Sequence, residues 1–243
     1  MKQVWLLVLL GSLAAAAGFG VSPPVVEATL SPGTWAGGEI TVQSPEGQLR
    51  LEPRLVDWRL GPGGELEILP PGSLPDSLAP FLEVPTEPFS LNGERRVLRY
   101  RLGLPEGARG CYHAGLLLRA PATPSTEKGL SVRTRLGFLV LFFATAKGNA
   151  HPDLRLTESR YQGGRLTAWI ENTGNACLHP RAVVEALDKG GHVIAHEIAL
   201  EDYLLPGGVR RLEADFPLPE GAVALRLRVE AAGARPLLWE VER

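Results

Sequence analysis

Glycine and proline set the first limit on this chain. Its 243 residues include 28 Gly and 21 Pro, spread along the whole length. Proline removes an amide donor and glycine is costly inside a helix, so little room is left for a long helix. Between the breaks lie short runs in which apolar and polar residues alternate, the period of a half-buried strand.

In the first half these runs are Val25 to Leu30, ended by Ser31-Pro32-Gly33, and Glu39 to Gln43. Leu49 to Leu60 follows, carrying Leu51, Leu55 and Trp58, and Gly61-Pro62-Gly63-Gly64 turns it into Glu65 to Leu69. A proline-rich crossing covers Pro70 to Pro88. Then come Arg95 to Leu102, Cys111 to Arg119, a polar loop from Ala120 to Gly129, and the longest run, Leu130 to Phe143. The stretch Ala146 to Pro152 is small and polar and ends in proline, as an interdomain linker does. After it the runs are Leu154 to Thr157, Arg165 to Glu171, Ala182 to Leu187, Val193 to Leu200, Val209 to Phe216, Ala222 to Glu230 and Leu237 to Val241, with Asp188-Lys189-Gly190-Gly191 as a hairpin turn. Seven short strands in about 90 residues is the immunoglobulin-like count. The expectation is an all-β chain of two immunoglobulin-like β-sandwich domains in tandem, residues 18–147 and 148–243.

The first 17 residues have the form of a cleavable signal peptide. A single positive charge at Lys2 precedes the apolar run Val4 to Leu10, and Ala15-Ala16-Ala17 supplies the small residues before the cut. Later runs fall short of the roughly 20 apolar residues of a membrane helix, so export to the periplasm or cell envelope without stable membrane insertion is expected. The formal net charge of −2 argues against a nucleic-acid partner, whose phosphates reward a strong positive excess.

Signals for catalysis are missing. No nucleophile elbow, phosphate loop or dinucleotide fingerprint occurs. His192 and His196 flank a strand-like run, where four-residue spacing sets them about 13 Å apart, too far to share a metal. His151 and His179 each precede a proline and read as loop residues. Glu65, Glu67, Glu213 and Asp215 alternate as a solvated face does. Tyr112, soon after the turn Pro105-Glu106-Gly107, suits a tyrosine corner. Trp58, Trp169 and Trp239 suit core or rim positions, and Trp35, in a turn, is the candidate exposed aromatic. The chain is expected to be non-enzymatic, with no cofactor and no metal.

Several segments, in this order, resemble the periplasmic pilus-assembly chaperones of the chaperone–usher pathway. They are Leu55-Val56-Asp57-Trp58-Arg59, the crossing Val84 to Gly93, the basic strand Arg95 to Arg99, the strand Cys111-Tyr112-His113-Ala114-Gly115-Leu116, and the ending Leu139-Val140-Leu141-Phe142-Phe143. The resemblance implies two sandwiches set in an L. It also implies that the long last strand of the first domain is lent to a pilus subunit lacking one, with that subunit and an outer-membrane usher as partners. An extended strand can pair a client's edge and fill its groove with alternate side chains. The partner-binding candidates are Leu130, Val132, Arg133, Arg135, Leu136, Phe138 and Val140. The family holds the subunit's terminal carboxylate with a basic pair, and here those positions fall on Glu27 and Val140. Arg133, Arg135 or Lys147 are the substitutes, since a basic side chain, and a guanidinium in particular, can grip a carboxylate. The alternative is a non-catalytic structural or adhesive envelope protein of the same architecture.

Cys111 and Cys177 are the only cysteines. Cys111 opens the strand antiparallel to Leu130–Phe143, at the end where the linker departs. Cys177 follows the second strand of the second domain, which also returns towards the linker. A disulfide fixing the interdomain angle is the expected pairing, with two unpaired thiols as the alternative.

Overall fold

The structure is a computed structural model that describes residues 18–44, 48–127, 130–134 and 136–242, with side chains outside 123–135. The expected signal peptide lies outside the described residues. Among the described residues, nineteen strands and one short 3-10 turn, Ala79–Phe81, make up the regular structure.

The strands of the first half are β1 (Gly20–Ser22), β2 (Val25–Leu30), β3 (Trp35–Gln43), β4 (Gln48–Leu60), β5 (Leu66–Leu69), β6 (Leu82–Glu83), β7 (Phe89–Asn92), β8 (Arg95–Gly103), β9 (Cys111–Arg119), β10 (Thr123–Glu127), β11 (Leu130–Thr134) and β12 (Gly137–Ala146). One sheet has the order β1-β3-β8-β6 and the facing sheet the order β2-β12-β9-β4-β5, with β7 also paired to β4. Their inner faces supply one core, including Ile40, Leu51, Leu98, Leu102, Leu116, Leu118, Val140 and Phe142. The central strand β9 is apolar on both faces, as a strand with covered faces must be.

The second half has β13 (Leu154–Gln162), β14 (Arg165–Asn172), β15 (Arg181–Leu187), β16 (Val193–Glu201), β17 (Val209–Asp215), β18 (Ala224–Glu230) and β19 (Leu237–Glu242). They form sheets β13-β14-β17 and β16-β15-β18-β19 around a second core that includes Leu166, Ile170, Val184, Leu212, Leu225 and Leu227. The chain is therefore all-β and built of two tandem sandwiches.

The expected long strand Leu130 to Phe143 is two strands. β11 pairs with β10 as a separate two-stranded ladder, while β12 pairs with β9. The two ladders lie in sequence along one extended hairpin, with the Ala120 N–H bonding the Leu136 carbonyl at 2.9 Å between them.

The proline-rich crossing is tied down by a buried carboxylate. Asp57 is fully buried on β4 and accepts hydrogen bonds from the Leu74 N–H at 3.0 Å and the Ser77 hydroxyl at 2.7 Å. His113 on β9 adds main-chain bonds to Asp76 and Leu78. Replacing Asp57 by Ala leaves both donors without an acceptor. Asp57→Ala is expected to lower unfolding free energy by about 2–3 kcal/mol, measured by urea denaturation.

Candidate functional site

β12 lies between two neighbours over only part of its length. On one side β9 pairs with it from Gly137 to Thr145. On the other, β2 runs parallel to it from Leu141 to Ala146. No described residue pairs with Gly137–Val140 on that second side. The sequence explains the boundary: the Leu141 N–H bonds the Pro24 carbonyl at 3.0 Å, and Pro23 and Pro24 have no N–H to continue the ladder. Before them, β1 leaves to pair with β3 in the other sheet. Main-chain groups alternate sides along a strand, so those of Gly137 and Leu139 point to the same edge as those of Leu141. This is an open edge at the start of a strand that is paired on both sides further on, and open edges are templates for another chain.

Side chains on β12 divide into two faces. Val140, Phe142 and Ala144 are fully buried in the first core, with Phe138 packed against it. Leu139, Leu141 and Phe143 point the other way, towards the second sandwich. Leu139 packs over Gly115, where a Cβ would sit 2.6 Å from its Cδ1; glycine makes room for it. The expected partner-binding residues therefore separate. Leu136 is exposed beside the open edge and Phe138 is half-buried. Val140, expected as a partner-binding residue, has its side chain fully buried in the first core. Leu130, Val132 and Arg133 lie on β11, which belongs to the separate ladder, and Arg135 lies outside the described residues. Lys147 is exposed just past the other end of β12, four residues beyond Phe143 and away from the open edge.

Sequence reasoning overlooked the outward face of the sheet and what it meets. Trp58, Cys111, Phe143 and Leu205 are buried together between the sandwiches, flanked by Val25, Leu139, Leu141 and Tyr203. Phe143 stacks on Tyr203 of the second sandwich at 4.6 Å, and Trp58 meets Phe143 edge-on at 5.8 Å. Such aromatic pairs add about 0.5–1.5 kcal/mol each beyond the area they bury. The parity of β12 was the available signal, since Leu139, Leu141 and Phe143 are the apolar residues not needed by the core.

Polar contacts fix the same junction. Cys111 and Cys177 are joined by a disulfide with a Cα separation of 5.5 Å. The Cys111 N–H bonds the Asn175 carbonyl at 2.8 Å, and the Arg211 N–H bonds the Pro62 carbonyl at 2.8 Å. Arg210 is buried, paired with Asp202 and bonded to the Gly61 carbonyl. Gly110 has φ +76°, and a Cβ there would lie 2.3 Å from the Asn175 carbonyl oxygen, so glycine is required where the two sandwiches touch. The Tyr203 hydroxyl donates to Glu27 Oε1 at 3.2 Å. Burial, reinforced by the Glu27 carboxylate, pushes the Tyr203 phenol well above its ordinary range.

Glu27 is the register partner of Phe143. The position paired with it on the cleft face is thus Phe143, and neither carries a basic group. Among the described residues no cluster of three or more His, Cys, Asp or Glu could hold a metal, and no helix is long and apolar enough to cross a membrane.

No family model and no curated protein matches the sequence. Solved structures match the fold. The structure of a chaperone–tip adhesin complex of CFA/I fimbriae biogenesis aligns over 93% of this chain and 100% of that one, with a TM-score of 0.51 and 11% identity. The class 5 fimbriae chaperone CfaA aligns over 93% and 100%, with a TM-score of 0.50 and 10% identity. At these identities the likeness is one of fold: two tandem immunoglobulin-like sandwiches arranged as in fimbrial chaperones.

Proposed function

We propose that this protein is a chaperone of the cell envelope that holds fibre subunits by strand addition at the open edge of β12. The observation that carries the reading is the unpaired stretch Gly137–Val140, left open by the prolines that stop β2. The fold it shares with fimbrial chaperones supports the same reading. A subunit with a missing strand would pair its main chain with Gly137 and Leu139 and rest apolar side chains on Leu136 and Leu139. The adjoining β10–β11 hairpin extends the surface along which a client strand can lie. An outer-membrane usher is the second partner in this reading, and the periplasm is the compartment, entered through the signal peptide. Chemistry is not required of such a protein.

Co-expression with a strand-deficient fibre subunit is the test. A soluble complex of one chaperone with one subunit is expected. Leu136→Asp places a charge against the apolar groove and should reduce recovery of the complex about tenfold or more. Leu238→Asp, at a more exposed leucine on β19, should leave recovery unchanged. Equal recovery from Leu136→Asp and wild type would remove the open edge from the reading.

A further inference from the structure

We infer that the cleft-side end of the open edge accepts a cationic group of the client, an ammonium or guanidinium, and disfavours a free carboxylate. This deepens the strand-addition reading and rests on it.

The end of an added strand is fixed by the fold. β2 takes over the edge at Leu141, so a strand laid along Gly137–Val140 must stop or turn away there. Its last group comes to lie against Val25 and Leu141. On the same face of β2, two residues further, is Glu27, about 7 Å along the strand. Glu27 points into the cleft, since its Oε1 accepts the Tyr203 hydroxyl and the Tyr203 ring stacks on Phe143.

The other charges nearby do not offset it. Arg210 is buried and committed to Asp202 and to the Gly61 carbonyl. Lys147 lies beyond the far end of β12. Asp202 is in turn taken up by Arg210, so that pair adds no net charge. The partner shown for Glu27 is a neutral hydroxyl. A carboxylate arriving there meets like charge at the exposed Glu27, whereas an ammonium meets opposite charge beside the aromatic ring of Tyr203.

Charge then selects direction. A strand added parallel to β12 brings its carboxyl end to the cleft, and an antiparallel one brings its amino end. The site favours antiparallel addition by a strand with a free amino end, or a strand of either direction with Lys or Arg at that place.

Three alternating apolar peptides distinguish these cases. One has a free amino end and an amidated carboxyl end. The second is acetylated with a free carboxylate. The third is blocked at both ends and carries Lys at the cleft-side position. Binding is followed by titration at low salt, with the amide signals of Gly137–Val140 reporting the site. The amino-ended or the Lys peptide should bind about fivefold to tenfold more tightly than the carboxylate-ended one. Whichever gains identifies the source of the cation. Glu27→Gln, which keeps an acceptor for Tyr203, should abolish the preference, and Glu27→Arg should reverse it. Equal affinities in wild type, or a preference untouched by Glu27→Gln, would overturn the inference alone. If no peptide moves the Gly137–Val140 signals, the strand-addition reading falls and the inference with it.

Discussion

The double variant Cys111→Ser, Cys177→Ser is expected to lose about 4 kcal/mol of unfolding free energy. The bond joins residues 66 apart in sequence. In the chain-entropy account, closing a loop of that length restricts the unfolded chain by about 4 kcal/mol at 25 °C. Other contacts across the junction survive the change: the main-chain bonds Cys111 to Asn175 and Arg211 to Pro62, and the stack of Phe143 on Tyr203. The variant should therefore fold, with a lower urea midpoint and a looser angle between the sandwiches. Trp58 is a suitable reporter, because it is buried in the junction and would sense its opening before the separate cores melt. Wild-type protein unfolded under reducing conditions should match the double variant. A difference below about 1 kcal/mol between oxidised and reduced protein would mean the staple adds little to what the junction already supplies. A bond of this kind forms and persists where the surroundings are oxidising.

Much of this architecture was legible in the sequence, for reasons that can be named. Glycine and proline punctuation marked strand ends, and alternation marked the buried faces of β3, β8, β14 and β17. The cysteine pairing was the expectation from topology, since antiparallel neighbours return both residues to the linker end, with two unpaired thiols as the alternative; the structure has the bond. The open edge was less legible. It depends on where β2 starts to pair with β12, a register set by Pro23 and Pro24 together with the departure of β1 to another sheet. No local pattern near residues 130–143 carries that information. The break between β11 and β12 was hidden for a related reason: the residues of both strands alternate in phase, so they read as one. The facing of β12 was not legible in the sequence, because both of its faces are apolar after Phe138. One face is taken by the core and the other by the junction with the second sandwich, and only the partner surfaces tell them apart.

That facing yields the second large effect. The resemblance to pilus chaperones placed one member of a basic anchor pair at Val140. Val140→Arg is expected to abolish the folded state, not to restore an anchor. Val140 is fully buried, lies opposite Leu116 on β9, and shares its core with Phe142 and Ala144. A guanidinium there is larger than the side chain it replaces and finds no counter-charge among the core residues. Burying an unpaired charge costs several kcal/mol, comparable to the whole stability of a domain. Insoluble protein, or a chain without a cooperative unfolding transition, is the expected result. The neighbouring position behaves differently. Leu141 is on the opposite face, half-buried at the cleft, pairs in register with Val25, and has Glu27 two residues further along β2. Leu141→Arg can lay its stem along the junction and bring its guanidinium towards the Glu27 carboxylate, so it should fold with a loss of about 1–2 kcal/mol. Circular dichroism melts of the two variants decide the matter. If Val140→Arg melts like Leu141→Arg, the assignment of faces on β12 is wrong. With it would go the claim that Leu139, Leu141 and Phe143, not Val140, line the cleft between the sandwiches.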